Sequence, residues 1–285
     1  MLDFFRHAFI QNALLAGTIV AIVSGAIGYF VLLRGQAFAC EALSHVGFAG
    51  ATGAALVGAS SLEGMLFFTI LAAIAIGGLG KRLSGRDVEV GMVLSFMLGL
   101  GVLFLSIYTQ NATAVVSVLF GSILSVTPSD VLLTLGSGLI TIFLLAFLFR
   151  PLIFASIDPE AAEARGVPVR WLSVVFLILL AVSVSEAVKV VGVLLVFALI
   201  VVPAATAEHL TLRPVHSMLM AVFISLLSTW AGLILALIGP FPVSFNIVSL
   251  TAIFYFLSLV IQARRSPRRY RELPHPSREM LPRDL

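Results

Sequence analysis

Long apolar runs, separated by short polar breaks, make up most of this chain. A membrane-spanning helix needs about 20 consecutive apolar residues. Nine runs approach or exceed that length, at 10–33, 38–58, 63–80, 88–108, 131–149, 171–186, 190–208, 215–238 and 244–262. The sixth and seventh runs are short and only a few residues apart, so eight spans is the alternative count. This pattern predicts an all-α polytopic membrane protein.

The composition supports a membrane protein over a soluble one. Of the 285 residues, 60% are hydrophobic and only 11% are charged, whereas soluble domains are about half apolar and a quarter charged. No polar segment is long enough to form a second domain. We therefore predict a transmembrane domain over 1–263 and a basic cytoplasmic tail over 264–285. The single Cys40 excludes a disulfide framework.

Basic residues concentrate in alternate breaks between the apolar runs. Loops rich in Lys and Arg stay on the cytoplasmic side of a membrane, so these breaks predict an external N-terminus and a cytoplasmic C-terminus. The basic positions are Arg34, Lys81, Arg82, Arg86, Arg150, Arg165, Arg170, Arg213 and the tail. The tail has a single aromatic residue, Tyr270, and no folded nucleic-acid-binding module, so it predicts contact with membrane lipids and not with nucleic acid.

Two polar residues interrupt the second apolar run. Glu41 and His45 lie four residues apart, which places both side chains on the same face of a helix. A carboxylate in hydrocarbon costs several kcal/mol unless it is paired, hydrated or bound to a cation. Carboxylate and imidazole together suit a divalent transition metal, so the sequence predicts a metal site here. The alternative is a buried Glu–His pair that only holds helices together.

The break after the fifth run has the features of a short helix. Asp158 is a good N-cap, Pro159 fits the first turn, and Glu160 and Glu163 suit the positive end of the helix dipole. Gly166 fits the position just after the helix. Its acidic, Ala-rich face predicts a protein partner on the cytoplasmic side. The sequence contains no G-x-x-x-x-G-K-[ST] motif, so any ATP is expected on another subunit.

Five segments together resemble the permease subunit of the ABC importers for zinc, manganese and iron. The first contains the turn Leu33-Arg34-Gly35 and the string Glu41-Ala42-Leu43-Ser44-His45. The five segments lie at 32–45, 86–94, 119–124, 158–166 and 191–207. Each is a weak match alone, but their order along nearly the whole chain is specific. One difference is that the family usually has Asp where this chain has Glu41.

The resemblance implies a homodimer around a central path, with Glu41 and His45 as metal ligands. It implies a multi-pass protein of a prokaryotic inner or plasma membrane that is not itself an enzyme. A cytoplasmic ATP-binding subunit would hydrolyse ATP, and a periplasmic or lipid-anchored receptor would deliver the metal. No permanent cofactor is expected, only the transported zinc, manganese or iron ion. The resemblance also implies a coupling helix that contacts the ATP-binding subunit through Asp158, Pro159, Glu160, Glu163, Arg165 and Gly166.

Three further features give weaker expectations. Glu89, at the start of the fourth run, is a candidate residue of the ion path. Pro203 lies inside the seventh run, where proline kinks or breaks a helix, and is a candidate hinge. Glu186 and Lys189, three residues apart between the sixth and seventh runs, predict a surface ion pair of small value.

Two other functions and one segment stay open at this level. Glu41 and His45 could serve as a proton relay in a proton-coupled secondary metal transporter, which would need no ATPase. A related ABC permease for metal chelates, such as siderophores or cobalamin, is a further alternative. Segment 109–130 is too short and polar to span, so it predicts a re-entrant half-helix or an external cap.

Overall fold

The computed structural model describes residues 8–79, 87–107, 121, 123 and 126–265. Ten helices lie in this part of the chain, and nine of them have 18 residues or more. The helices are α1 (Ala8–Leu33), α2 (Ala37–Val57), α3 (Ser61–Leu79), α4 (Asp87–Ile107), α5 (Pro128–Ile157), α6 (Pro159–Ala164), α7 (Val169–Val191), α8 (Val193–Leu210), α9 (Pro214–Ile238) and α10 (Val243–Arg265). The predicted fold class is confirmed, because each of the nine apolar runs lies in a long helix.

Eight of the long helices are both long and apolar enough to cross a membrane. The ninth, α2, has 21 residues, but Glu41, His45 and its many Gly and Ala residues lower its hydropathy. The sixth and seventh runs form two separate helices, α7 and α8, with only Gly192 between them. Hydropathy alone therefore identifies eight spans, and helix length adds α2 as the ninth.

α1 and α7 form the centre of the bundle, and 72% of the residues in the apolar stretch of each helix are buried. α1 packs against α5, α7, α8 and α9, while α7 also packs against α2 and α3. In the corresponding stretch of α4 only 17% of the residues are buried, and in those of α5 and α10 only 22%. These outer helices carry many exposed large apolar side chains, as expected for surfaces that face lipid acyl chains.

α2, which carries the polar pair, is held closely against α3. A Cβ atom on Gly50 would collide with the carbonyl oxygen of Gly64, and a Cβ on Gly64 would collide with that of Gly50. Small residues at such a crossing let the two backbones approach, which is how membrane helices gain packing contacts without a hydrophobic driving force. This contact fixes the C-terminal half of α2 relative to α3.

One of the weaker sequence expectations needs correction. Glu186 and Lys189 do not form a surface pair, because α7 continues to Val191 and Glu186 is buried inside the bundle. Lys189 Nζ instead donates to Asp130 Oδ1 of α5 at 2.6 Å. Pro203 lies inside α8, which continues past it to Leu210, so the helix does not end there and the hinge stays a prediction.

Two other expectations concern segments that are wholly or mostly outside the described residues. Segment 109–130 is described only at residues 121, 123 and 126–130. At its end Thr127 accepts a hydrogen bond from the backbone N–H of Asp130 and caps α5. The tail from residue 266 onwards lies outside the described part of the chain. The predicted re-entrant element and the boundary at residue 263 therefore stay predictions.

Candidate metal site and coupling elements

Glu41 and His45 form a direct pair on α2. His45 Nε2 and Glu41 Oε1 are 3.1 Å apart, a hydrogen-bond distance for an Nε2–H donor and a carboxylate acceptor. The two residues are the fifth and ninth of α2, so at about 1.5 Å per residue they lie about 6 and 12 Å from the start of the helix. The predicted common face is therefore real, and it lies in the first half of α2.

The pair opens onto a surface that this protomer does not cover. From Ala39 to Gly50, every residue other than Glu41 and His45 is buried. The side chain of His45 is 29% exposed and that of Glu41 is 38% exposed. Glu41 Oε2 is itself buried within the protomer and has no hydrogen-bond partner. The pair therefore has an exposed part that a second molecule can contact, and one buried carboxylate oxygen that no group of the protomer satisfies.

One protomer supplies too few ligands for a complete metal site. Among the described residues, no group of three or more His, Cys, Asp or Glu side chains lies close enough to hold a metal ion. Cys40, next to Glu41, is fully buried in the apolar core. Divalent transition metals take four to six ligands, so Glu41 and His45 can supply only part of the coordination.

Glu89 lies beside the beginning of α2 and outside the Glu41–His45 pair. α4 runs alongside α2 in the same direction: a Cβ on Gly91 would lie 3.9 Å from the Phe38 ring, and one on Gly101 would lie 3.2 Å from Ala49 Cα. Glu89 is in the first turn of α4, near the predicted cytoplasmic end of both helices. Its Oε2 atom is buried and has no hydrogen-bond partner.

Arg34, in the turn between α1 and α2, connects this turn to two other helices. Its Nη1 donates to Ser156 Oγ in the last turn of α5 at 3.3 Å, and its Nη2 donates to Ser173 Oγ near the start of α7 at 3.1 Å. The guanidinium carbon lies 5.3 Å from the centre of the Phe176 ring. Arg34 is only 9% exposed. Arg34 belongs to one of the segments that resemble the family, but no pattern in the sequence indicates these partners.

The predicted short helix is present as α6, between α5 and α7. Asp158 Oδ1 accepts a hydrogen bond from Ala161 N at 2.9 Å and caps the helix. Ala162 is fully buried, whereas Glu160 and Glu163 are exposed. Gly166 has φ +82°, the left-handed conformation expected just after a helix. α6 is therefore anchored by one small residue and presents its carboxylates outward.

The guanidinium of Arg165, just after α6, stacks back on α5. Its central carbon lies 5.4 Å from the centre of the Phe154 ring, within the range of a cation–π contact. Pro159 occupies the first turn, where its missing N–H costs no helical hydrogen bond. These contacts hold α6 against the end of α5.

The long apolar helices define the class of protein, which is a multi-pass membrane protein. Residues 6–262 match the model of the ABC 3 transport family, and the chain belongs to that family. The family resemblance predicted from the five segments is confirmed. The protein is accordingly a transport protein rather than an enzyme, and it is a multi-pass protein of a prokaryotic plasma membrane.

Relatives of known name match over nearly their full length. The manganese transport system membrane protein MntC of Halalkalibacterium halodurans is 29% identical over 260 residues, covering 91% of this chain and 89% of MntC. The manganese import system permease protein ScaB of Streptococcus parasanguinis is 31% identical over 265 residues, covering 90% and 92% of the two chains. In the solved structure of PsaBC from Streptococcus pneumoniae in complex with Fab, one chain superposes with a TM-score of 0.81 at 29% identity, covering 91% of this chain and 95% of that one.

Proposed function

We propose that this protein is the permease subunit of an ATP-driven importer of a divalent transition-metal ion, and that Glu41 and His45 bind the ion in transit. The observation that carries the proposal is the Glu41–His45 contact of 3.1 Å on the one open patch of a buried helix segment. Of zinc, manganese and iron, manganese is favoured, because MntC and ScaB are named for manganese. A carboxylate with an imidazole suits this ion.

Two copies of the chain would complete the metal site. Glu41 and His45 of one protomer provide one oxygen and one nitrogen ligand. A symmetric dimer with these open patches facing each other would double this set to two carboxylates and two imidazoles. That number of donors satisfies a four- to six-coordinate metal without any further side chain.

The ion would leave this site towards the first turns of α2 and α4. Glu89 lies on that side, near the predicted cytoplasmic ends of both helices, and has a carboxylate oxygen without a partner. A second carboxylate below the first would lower the cost of moving a cation through an apolar region. Pro203 breaks the hydrogen-bond ladder of α8 at one point and remains a candidate hinge.

α6 would connect this subunit to the ATP-binding subunit. Its exposed carboxylates, Glu160 and Glu163, are available for a basic partner surface. Movement of α6 would reach α2 through Arg34, which bonds to both helices that flank α6 and lies seven residues before Glu41. Metal would reach the outer side of the path from a receptor protein.

Arg34 provides a test of this connection. We expect Arg34→Ala to lower metal uptake by more than tenfold while the complex continues to hydrolyse ATP, because the α1–α2 turn would no longer follow the ends of α5 and α7. Arg34→Lys should lower uptake similarly, since one ammonium group lacks the planar fork that reaches both serines. Uptake and ATP hydrolysis are measured in the same proteoliposomes.

The matched control is Arg170→Ala, which removes an exposed arginine near the start of α7. It should leave the ratio of ions transported to ATP hydrolysed unchanged. A similar ratio in Arg34→Ala and in the unaltered protein would mean that Arg34 has no role in coupling.

Reconstitution tests the proposed function directly. Liposomes that contain this chain with its ATP-binding subunit, supplied with receptor and Mn²⁺, should accumulate the metal only when ATP is present. Liposomes with this chain alone should show no accumulation under a pH gradient. Metal flux driven by the pH gradient alone would contradict the proposal and support a proton-coupled secondary transporter.

A further inference from the structure

A second polar pocket lies between α1, α5 and α7, away from the Glu41–His45 pair. Glu186 of α7 lines it and is only 8% exposed. Four hydroxyl side chains complete its polar wall, and α1 supplies the apolar wall. The lining hydroxyls are Thr134, Ser137, Thr141 and Ser183. The space holds roughly one water-sized species, so its occupant is an ion or a single small molecule.

Three of the four hydroxyl groups have a backbone acceptor within their own helix, and two of them, Thr134 and Ser137, also contact the Glu186 carboxylate. Thr134, Ser137 and Ser183 each donate to the backbone carbonyl oxygen four residues earlier, at 2.8, 3.0 and 2.9 Å. A hydroxyl group has one hydrogen and two lone pairs, so each oxygen keeps its lone pairs whether its proton faces the backbone carbonyl or Glu186. Together with the carboxylate of Glu186 these hydroxyl groups make a site lined by oxygen atoms, which are the ligands that a hard cation prefers.

The charges around the pocket do not balance. Lys189, one turn beyond Glu186 on α7, is engaged with Asp130 at 2.6 Å. Two carboxylates, Glu186 and Asp130, therefore face one ammonium group, which leaves one negative charge when all three are ionised. A buried, unbalanced carboxylate is costly at membrane depth. One additional positive charge would neutralise the cluster.

We propose that this pocket binds a small monovalent cation, Na⁺, through the Glu186 carboxylate and the hydroxyl oxygens of Thr134, Ser137 and Ser183. Hard cations prefer oxygen ligands of this kind, and a single charge balances the cluster whereas a divalent ion would over-compensate it. The residues that line the pocket include no imidazole or thiol, in contrast to the Glu41–His45 site. The bound ion joins α5 to α7 and does not depend on the proposed metal transport.

Thermal unfolding of the full chain in lipid nanodiscs tests this site. At constant ionic strength, replacing choline chloride by NaCl should raise the Tm saturably by about 3 °C, because an ion that binds only the folded state stabilises it. Glu186→Gln should abolish the rise, whereas Glu63→Gln, which changes an exposed acid of α3 outside the pocket, should keep it. Ser183→Ala should raise the half-saturating Na⁺ concentration by about tenfold.

Several results would overturn the proposal. Equal Tm values of the unaltered protein in NaCl and choline chloride would exclude a sodium site, and this comparison needs no variant to fold. A rise that persists in Glu186→Gln would place the ion elsewhere. A Glu186-dependent rise with CaCl₂ or MnCl₂ but not with NaCl would mean that the pocket takes a divalent ion.

Discussion

Replacement of His45 by alanine is expected to lower ATP-driven metal uptake by about a hundredfold or more. In a symmetric dimer this substitution removes both imidazole ligands at once, and the remaining carboxylates bind a transition metal far more weakly. Glu41→Gln should have a comparable effect, because it keeps the size of the side chain and removes its charge. The measurement is the initial rate of Mn²⁺ entry into proteoliposomes, with ATP inside and the metal quantified by mass spectrometry.

The matched controls are the same kinds of substitution at other sites. His209→Ala removes a half-buried histidine whose Nδ1 lies 3.1 Å from Ser258 Oγ, far along the chain from α2. Glu63→Gln removes the charge of an exposed acid. Both should retain uptake. If His45→Ala and Glu41→Gln also transported metal at normal rates in assembled complexes, the ion path would not pass through this pair.

The helical fold could be predicted from the sequence because each span is a separate run of mainly apolar residues. α2 is the most instructive case: it falls below the hydropathy of the other long helices, but its flanking turns and its run of small and apolar residues still predicted a helix at 38–58. The sixth apolar run ends at residue 186, whereas α7 continues to Val191. Glu186 and Lys189 interrupt the apolar run there, and the chain remains helical because hydroxyl groups surround Glu186 and Lys189 bonds to α5.

The candidate site contains contacts between residues close in the sequence and contacts between residues far apart in it. Glu41 and His45 are four residues apart, so helical periodicity alone brought them together. Arg34 reaches Ser156 and Ser173 across 122 and 139 residues of sequence. No local pattern reports such contacts, since they depend on how α1, α5 and α7 pack. The same holds for the contact of Lys189 with Asp130, 59 residues away.

Reversing the charges of Glu160 and Glu163 together, as Glu160→Arg/Glu163→Arg, is expected to weaken binding of the ATP-binding subunit by about a hundredfold or more. Both side chains are exposed on α6, and placing like charges against a complementary surface costs several kcal/mol. The helix itself should survive, because its cap, Asp158, and its buried anchor, Ala162, are unchanged. The fraction of ATP-binding subunit that co-purifies with the variant, and its dissociation constant, provide the measurement.

The control for this variant is Glu208→Arg, which reverses an exposed charge near the end of α8, at the same predicted cytoplasmic end of the bundle. A cation there is favoured by the helix dipole, so the substitution should be neutral for folding and for complex formation. If the double variant of α6 bound the ATP-binding subunit as tightly as Glu208→Arg does, the acidic face of α6 would not be the docking surface. The ATP-binding subunit would then have to contact a different exposed element. In the proposed coupling, Arg34 follows the ends of α5 and α7, and these ends move only when a partner moves α6, the helix that connects them.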